Sequence, residues 1–97
     1  SSAGGVFNQV GGRLTVENTT VSGNTATRGG GGGVFNNGGA NSATLAHVTV
    51  VNNTAGGGGG GLRGTGTTVH NSIVSGNAAA QGKDVSAAVT GFGNLIG

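Results

Sequence analysis

Eight side chains in this sequence could carry acid–base, metal or anion chemistry: Glu17 and Asp84, His47 and His70, and the bases Arg13, Arg28, Arg63 and Lys83. Carboxylate-pair cleavage of polysaccharides, or calcium held beside a base, needs acids in a cluster. The single Glu and the single Asp lie more than two sequence repeats apart. Neither histidine has a carboxylate beside it to orient its ring, so no Ser-His-acid arrangement can be built. No metal site, cofactor or catalysis is expected. The glycine runs at 29–33 and 56–61 invite a phosphate-loop reading, but neither continues into Gly-Lys-Ser/Thr and neither leads into a helix. A close-packed corner, where another backbone comes near, explains them better. Asn18-Thr19-Thr20 and Asn52-Asn53-Thr54 match the N-glycosylation acceptor pattern, making Asn18 and Asn52 candidate glycan sites.

The rest of the sequence is built to position something other than an active site. Of 97 residues, 25 are Gly, only 6% are charged, and Pro, Cys, Met, Trp and Tyr are absent. Low charge argues against ordinary disorder, and the missing three-residue period and missing Pro exclude collagen. The net charge of +2 is scattered, without the basic stripe and stacking aromatics of a nucleic-acid groove. No stretch approaches the roughly 18 apolar residues of a membrane span. The chain opens Ser-Ser-Ala-Gly-Gly without Met, which suggests a processed form or a piece of something longer.

Self-similarity organises the chain. Gly5-Val6-Phe7-Asn8 returns as Gly33-Val34-Phe35-Asn36 after 28 residues and, degenerate, as Gly61-Leu62-Arg63-Gly64 after another 28. The block from Thr15 to Asn24 matches that from Thr44 to Asn53 at a shift of 29, and that from Thr68 to Asn77 after a further 24. Short runs rich in Val and Thr, broken by Gly or Asn and without helical periodicity, read as strands separated by turns. Repetition every 24–29 residues fits a solenoid, each rung one triangular coil of three strands. Leucine-rich repeats are excluded by the scarcity of Leu, and a hairpin array by turn spacing.

The segments GGVFN, LTVENTTVSGNTA and NSIVSGNAAAQGKDVSAAVTGFGNLIG resemble the repeats of right-handed parallel β-helix proteins of bacterial and archaeal surfaces and secretions. The resemblance covers nearly the whole chain. It implies an all-β, single-stranded parallel β-helix, right-handed, of about three and a half rungs at approximately 4–31, 32–59, 60–86 and a partial 87–97. It implies little about function, since such rungs occur in adhesins, autotransported passengers, polysaccharide-acting enzymes and other surface proteins alike.

Stacked rungs turn equivalent positions into columns about 4.8 Å apart per step. Val16/Leu45/Val69, Val21/Val50/Val74 and Val6/Val34/Leu62 are the expected interior. Asn24, Asn53 and Asn77 form an expected hydrogen-bonded ladder, with left-handed backbone at a corner. Asn18, His47 and Asn71 form a second turn column. Phe7, Phe35 and Arg63 form an outward contact strip, Arg63 closing it by a cation–π contact.

The function expected is that of a non-enzymatic extracellular or cell-surface structural protein. Its partners are copies of itself, joined through open rung ends into a filament, fibre or surface layer. A contact between Gly4–Asn8 of one copy and Val89–Ile96 of the next is the expected joint. An adhesin or carbohydrate-binding segment meeting a cell surface or glycan is the rival, and ice binding by the Thr15/Thr44/Thr68 column a third reading.

Overall fold

The computed structural model describes residues 5–27, 30–39, 42–64, 66–86 and 89–97. Among them none is helical. The first turn of chain carries β1 (Val6–Asn8), β2 (Leu14–Glu17), β3 (Thr20–Ser22) and β4 (Thr25–Ala26). The second carries β5 (Val34–Asn36), β6 (Ala43–Ala46), β7 (Thr49–Val51) and β8 (Thr54–Gly58). The third carries β9 (Leu62–Arg63), β10 (Thr67–His70), β11 (Ile73–Ser75) and β12 (Ala78–Gln81), followed by β13 (Val85–Ser86) and β14 (Leu95–Ile96).

Every pairing is parallel and joins a strand to its counterpart one turn away, giving four sheets: β1-β5-β9-β13, β2-β6-β10, β3-β7-β11-β14 and β4-β8-β12. The chain is therefore a parallel β-solenoid of about three turns, with four faces rather than the expected three. The reason lies in its corners. Asn18, His47, Asn71 and Gly93, with φ of 51°, 55°, 50° and 73°, turn the chain from the second face to the third. Gly23, Asn52 and Gly76, with φ of 70°, 57° and 66°, turn it again to a short fourth face. Left-handed backbone at a single residue suits Gly and Asn best, because Cβ crowds the next carbonyl in most other residues. Two such bends, one β-strand apart, split what looks like one strand into two.

The turns shorten along the axis. Equivalent asparagines are 29 residues apart from Asn24 to Asn53 and 24 apart from Asn53 to Asn77, and Thr68 to Thr90 spans 22. The loss falls in the connections, most clearly between β9 and β10, so the strand registers survive.

The interior is narrow and aliphatic. Val34, Leu45, Val50, Leu62, Val69 and Val74 are completely buried, each over its counterpart in the neighbouring turn. In the first turn Val6, Leu14 and Val16 are only half-buried, as are Val85 and Val89 at the other end. The C-terminal parts of the glycine runs are also interior. Gly30 to Gly33 and Gly59 to Gly61 are buried, and Gly31, Gly32 and Gly33 donate to the carbonyls of Gly58, Gly59 and Gly60 in the next turn. A Cβ on Gly32 would run into the Gly60 and Thr54 carbonyl oxygens. The close approach comes from the chain's own next turn. Arg28 and Gly29, part of the sequence reading, lie outside the described residues.

Candidate functional site

The side chains with the most organised chemistry are amides, arranged in two buried columns. In the first, the backbone N–H and Nδ2 of Asn24 both donate to Asn53 Oδ1, at 3.0 and 3.1 Å. Asn53 repeats the pattern onto Asn77 Oδ1, at 2.9 and 3.0 Å. Asn77 repeats it onto Asp84 Oδ1, at 3.0 and 2.9 Å. Each turn thus passes two donors in the same direction along the axis. Asn53 Nδ2 also reaches Val21 O, and Asn77 Nδ2 reaches Val50 O, tying the ladder to the third face one turn away. The expected left-handed backbone is not at these residues. It sits at the residue before each, Gly23, Asn52 and Gly76, and that bend is what aims the following Asn inward. Asn53 and Asn77 are accordingly buried.

The second column went unrecognised in the sequence. Asn8 Nδ2 donates to Asn36 Oδ1 at 2.9 Å, and Asn36 Nδ2 to Thr67 Oγ1 at 3.1 Å. Asn36 Oδ1 also receives Gly38 N–H and Ser42 Oγ. All four side chains are buried. The repeated Asn8/Asn36 pair was a signal, but the third turn has Gly64 at the matching place. Thr67, three residues further on, supplies the hydroxyl instead and returns its own proton to Gly64 O.

Asn18, His47 and Asn71 stand at one exposed corner, in left-handed backbone. His47 N–H bonds His70 O at 3.1 Å. His70 itself follows Glu17 and Ala46 in register and is half-buried, its ring packed on Phe92 with centroids 4.7 Å apart. Its Nδ1 is buried and makes no hydrogen bond. The other carboxylate, Asp84, is held by Asn77 in another column. Among the described residues no three of His, Cys, Asp and Glu gather into a group able to hold a metal, and no helix is long and apolar enough to cross a membrane.

On the outer side of the first face, Phe7 and Phe35 have ring centroids 5.3 Å apart and planes tilted by 45°. The Arg63 guanidinium lies 5.1 Å from the Phe35 centroid. Phe7 is 44% exposed, whereas Phe35 and Arg63 are half-buried. Gly30 and Gly31 pack closely against Arg63 and Phe35, leaving no room for a Cβ. The glycine corner therefore wraps the inner part of the strip. Both candidate glycan sites, Asn18 and Asn52, are exposed corner residues. The Thr column continues one step, Thr68 Oγ1 lying 3.3 Å from Thr90 Oγ1.

No family model, curated protein or solved structure matches this chain.

The two segments of the expected joint between copies lie on different faces. Val6–Asn8 belongs to the first face, which ends in β13 at the opposite end, while residues 89–96 supply Thr90 on the second face and β14 on the third. Like faces meet if β1 lies on β13, β2 over Thr90 and β3 on β14. Gly4, part of the expected joint, lies outside the described residues.

Proposed function

We propose that this chain is a non-enzymatic structural element of the extracellular space or cell surface, whose copies add end to end along the coil axis into a filament, fibre or surface layer. The observation that carries this reading is the match between the two ends of the stack. The first turn offers β1, β2 and β3 as edges, each paired on one side only among the described residues, and the last offers β13, Thr90 and β14 on the same three faces. An unpaired strand edge is a template for another strand. Apolar interior columns stop unfinished at both ends: Val6, Leu14 and Val16 are half-buried at one, Val85 and Val89 at the other, where Ile96 is also 45% exposed. Joining like faces would cover them with one another, and repeat arrays gain stability in this way from each neighbour. The likeness of the repeats to right-handed β-helix segments of surface and secreted proteins supports the same setting. Electron micrographs and sedimentation of the purified chain at neutral pH test the reading. Filaments or end-joined oligomers are expected, and monomers at high concentration would sink it.

A binding role as an adhesin or carbohydrate-recognising segment is favoured by one observation, the exposed ring of Phe7. Phe35 is flanked by Phe7 and Arg63, so a sugar would stack on Phe7. Glycan-array binding lost in Phe7→Ala would support this second reading.

A further inference from the structure

The two ends of the amide ladder are chemically unlike. At the first turn, Asn24 gives its N–H and Nδ2 to Asn53 and its Nδ2 to Ser22 O, leaving Oδ1 as the terminal acceptor. At the other end the ladder closes on Asp84, which does not come from the same position of the repeat. Leu62 pairs with Val85, so Asp84 stands in the register of Gly61 and, one turn earlier, of Gly33. Those positions hold no side chain because the next turn's backbone and the ladder asparagine both come against them, with Val50 at Gly33 as well. A Cβ would meet Asn53 Nδ2 at 3.0 Å on Gly33 and Asn77 Nδ2 at 2.6 Å on Gly61. Asp84 Oδ1 accepts from Asn77 as the asparagine of the next turn accepts from Asn24 and from Asn53.

This matters for the joint. With β1 laid on β13 and β3 on β14, Asn24 of the incoming copy arrives one step beyond Asp84. In every internal step the residue nearer the first turn donates an amide N–H to the Oδ1 of the next. A carboxylate has oxygens only and nothing to donate. At the joint, therefore, the Asp84 carboxylate faces Asn24 Oδ1, acceptor against acceptor. Such a meeting costs free energy where the internal steps gain it.

We propose that Asp84 is a built-in brake on head-to-tail joining, and that the surface around Asn24 is made to receive a coil presenting an amide donor at that point. The inference rests on the end-to-end reading and adds its regulation: the backbone edges and apolar columns draw copies together, and the carboxylate limits how far stacking runs. An acid at the end of a stack of amides keeps Asn77 satisfied while withholding the donor that a next turn needs. The device is the solenoid counterpart of a charge placed on an edge strand.

The test compares the wild-type chain with D84N and D84A by sedimentation velocity and electron microscopy across a concentration series, with thermal unfolding to establish that each is folded. D84N keeps Oδ1 for Asn77 and adds an Nδ2 donor for Asn24. It is expected to lower the concentration for end-to-end assembly by about tenfold or more, the worth of one good hydrogen bond exchanged for a repulsive contact. D84A removes the charge without supplying the donor and is expected to gain less. Replacing Asn24 by Ala in the D84N chain should abolish the gain. Equal assembly of wild type and folded D84N overturns the brake and leaves the end-to-end reading standing. A wild-type chain that stays monomeric while D84N assembles supports the brake and overturns that reading for the natural chain. If D84N does not fold, assembly of D84A no better than wild type overturns the brake. Neither chain assembling overturns both.

Discussion

The two buried polar columns use the same side chain in different ways. From Asn24 to Asp84 each step is the same: a backbone N–H and an Nδ2 donate together to one oxygen in the next turn. From Asn8 to Thr67 no two steps agree, and Ser42 and Gly38 crowd onto Asn36 where the first turn has the carbonyl of Gly12. The regular ladder follows a corner whose backbone repeats from turn to turn. The irregular one lies beside the connection that shortens most. A column can be periodic only where the backbone beneath it is, and where chain length varies the hydrogen bonds must be met by whatever polar side chain the new loop brings.

Removing a regular ladder step should have the largest effect. In Asn53→Ala both donors of Asn24 lose their acceptor, and Asn77 Oδ1 and Val21 O each lose the Nδ2 donor, Asn77 Oδ1 keeping only the backbone N–H of residue 53, at a cost of about 3 kcal/mol. The melting temperature of a chain this size should fall by more than about 10 °C, read by circular dichroism. A loss below a few degrees would mean that water replaces the ladder. The glycines give the next contrast. Gly32→Ala places a methyl against the carbonyl oxygens of Gly60 and Thr54 and should cost about 2–3 kcal/mol. Gly23→Ala, at φ +70° with open space around it, should cost about 1 kcal/mol of left-handed strain alone. Urea unfolding of both variants ranks them, and the reverse order would show that corner conformation outweighs close stacking. The smallest change is Thr67→Val, which removes the hydroxyl between Asn36 and Gly64 and should cost about 1 kcal/mol. A loss as large as that of Asn53→Ala would erase the distinction between the columns.

Much of this architecture was legible in the sequence because it is carried by translation along the chain. The in-register repeats place Val6 on Val34, Thr15 on Thr44 and Val21 on Val50, and the structure pairs those residues. Asn24, Asn53 and Asn77 stand out for the same reason. What escaped are substitutions between unlike positions. Thr67 completes a column whose matching residue is Gly64, and Asp84 completes a ladder from the register of Gly61. Alignment compares positions, whereas a side-chain oxygen can reach the same point in space from two of them. The fourth face was hidden for a local reason. Thr25–Ala26 is only two residues long, and most of β8 on the same face is glycine. Each carries a single β-branched residue, Thr25 or Thr54, followed by Ala or Gly, too little of the signal by which strands are read.

The taper also bears on how the chain folds. No strand pairs with a neighbour in sequence, and each pairing closes a loop of one full turn. A chain whose contacts are so distant folds slowly, having to close such a loop before any contact rewards it. Closing 24 residues rather than 29 saves only about 0.2 kcal/mol by loop-closure entropy. Burial decides more, and of the six completely buried residues four, Leu45, Val50, Val69 and Val74, lie on the second and third faces of the second and third turns, with Val34 and Leu62 on the first face of the same turns. Folding should therefore nucleate where β6 meets β10 and β7 meets β11, with the first turn zipping on afterwards as its strands find a surface already in place.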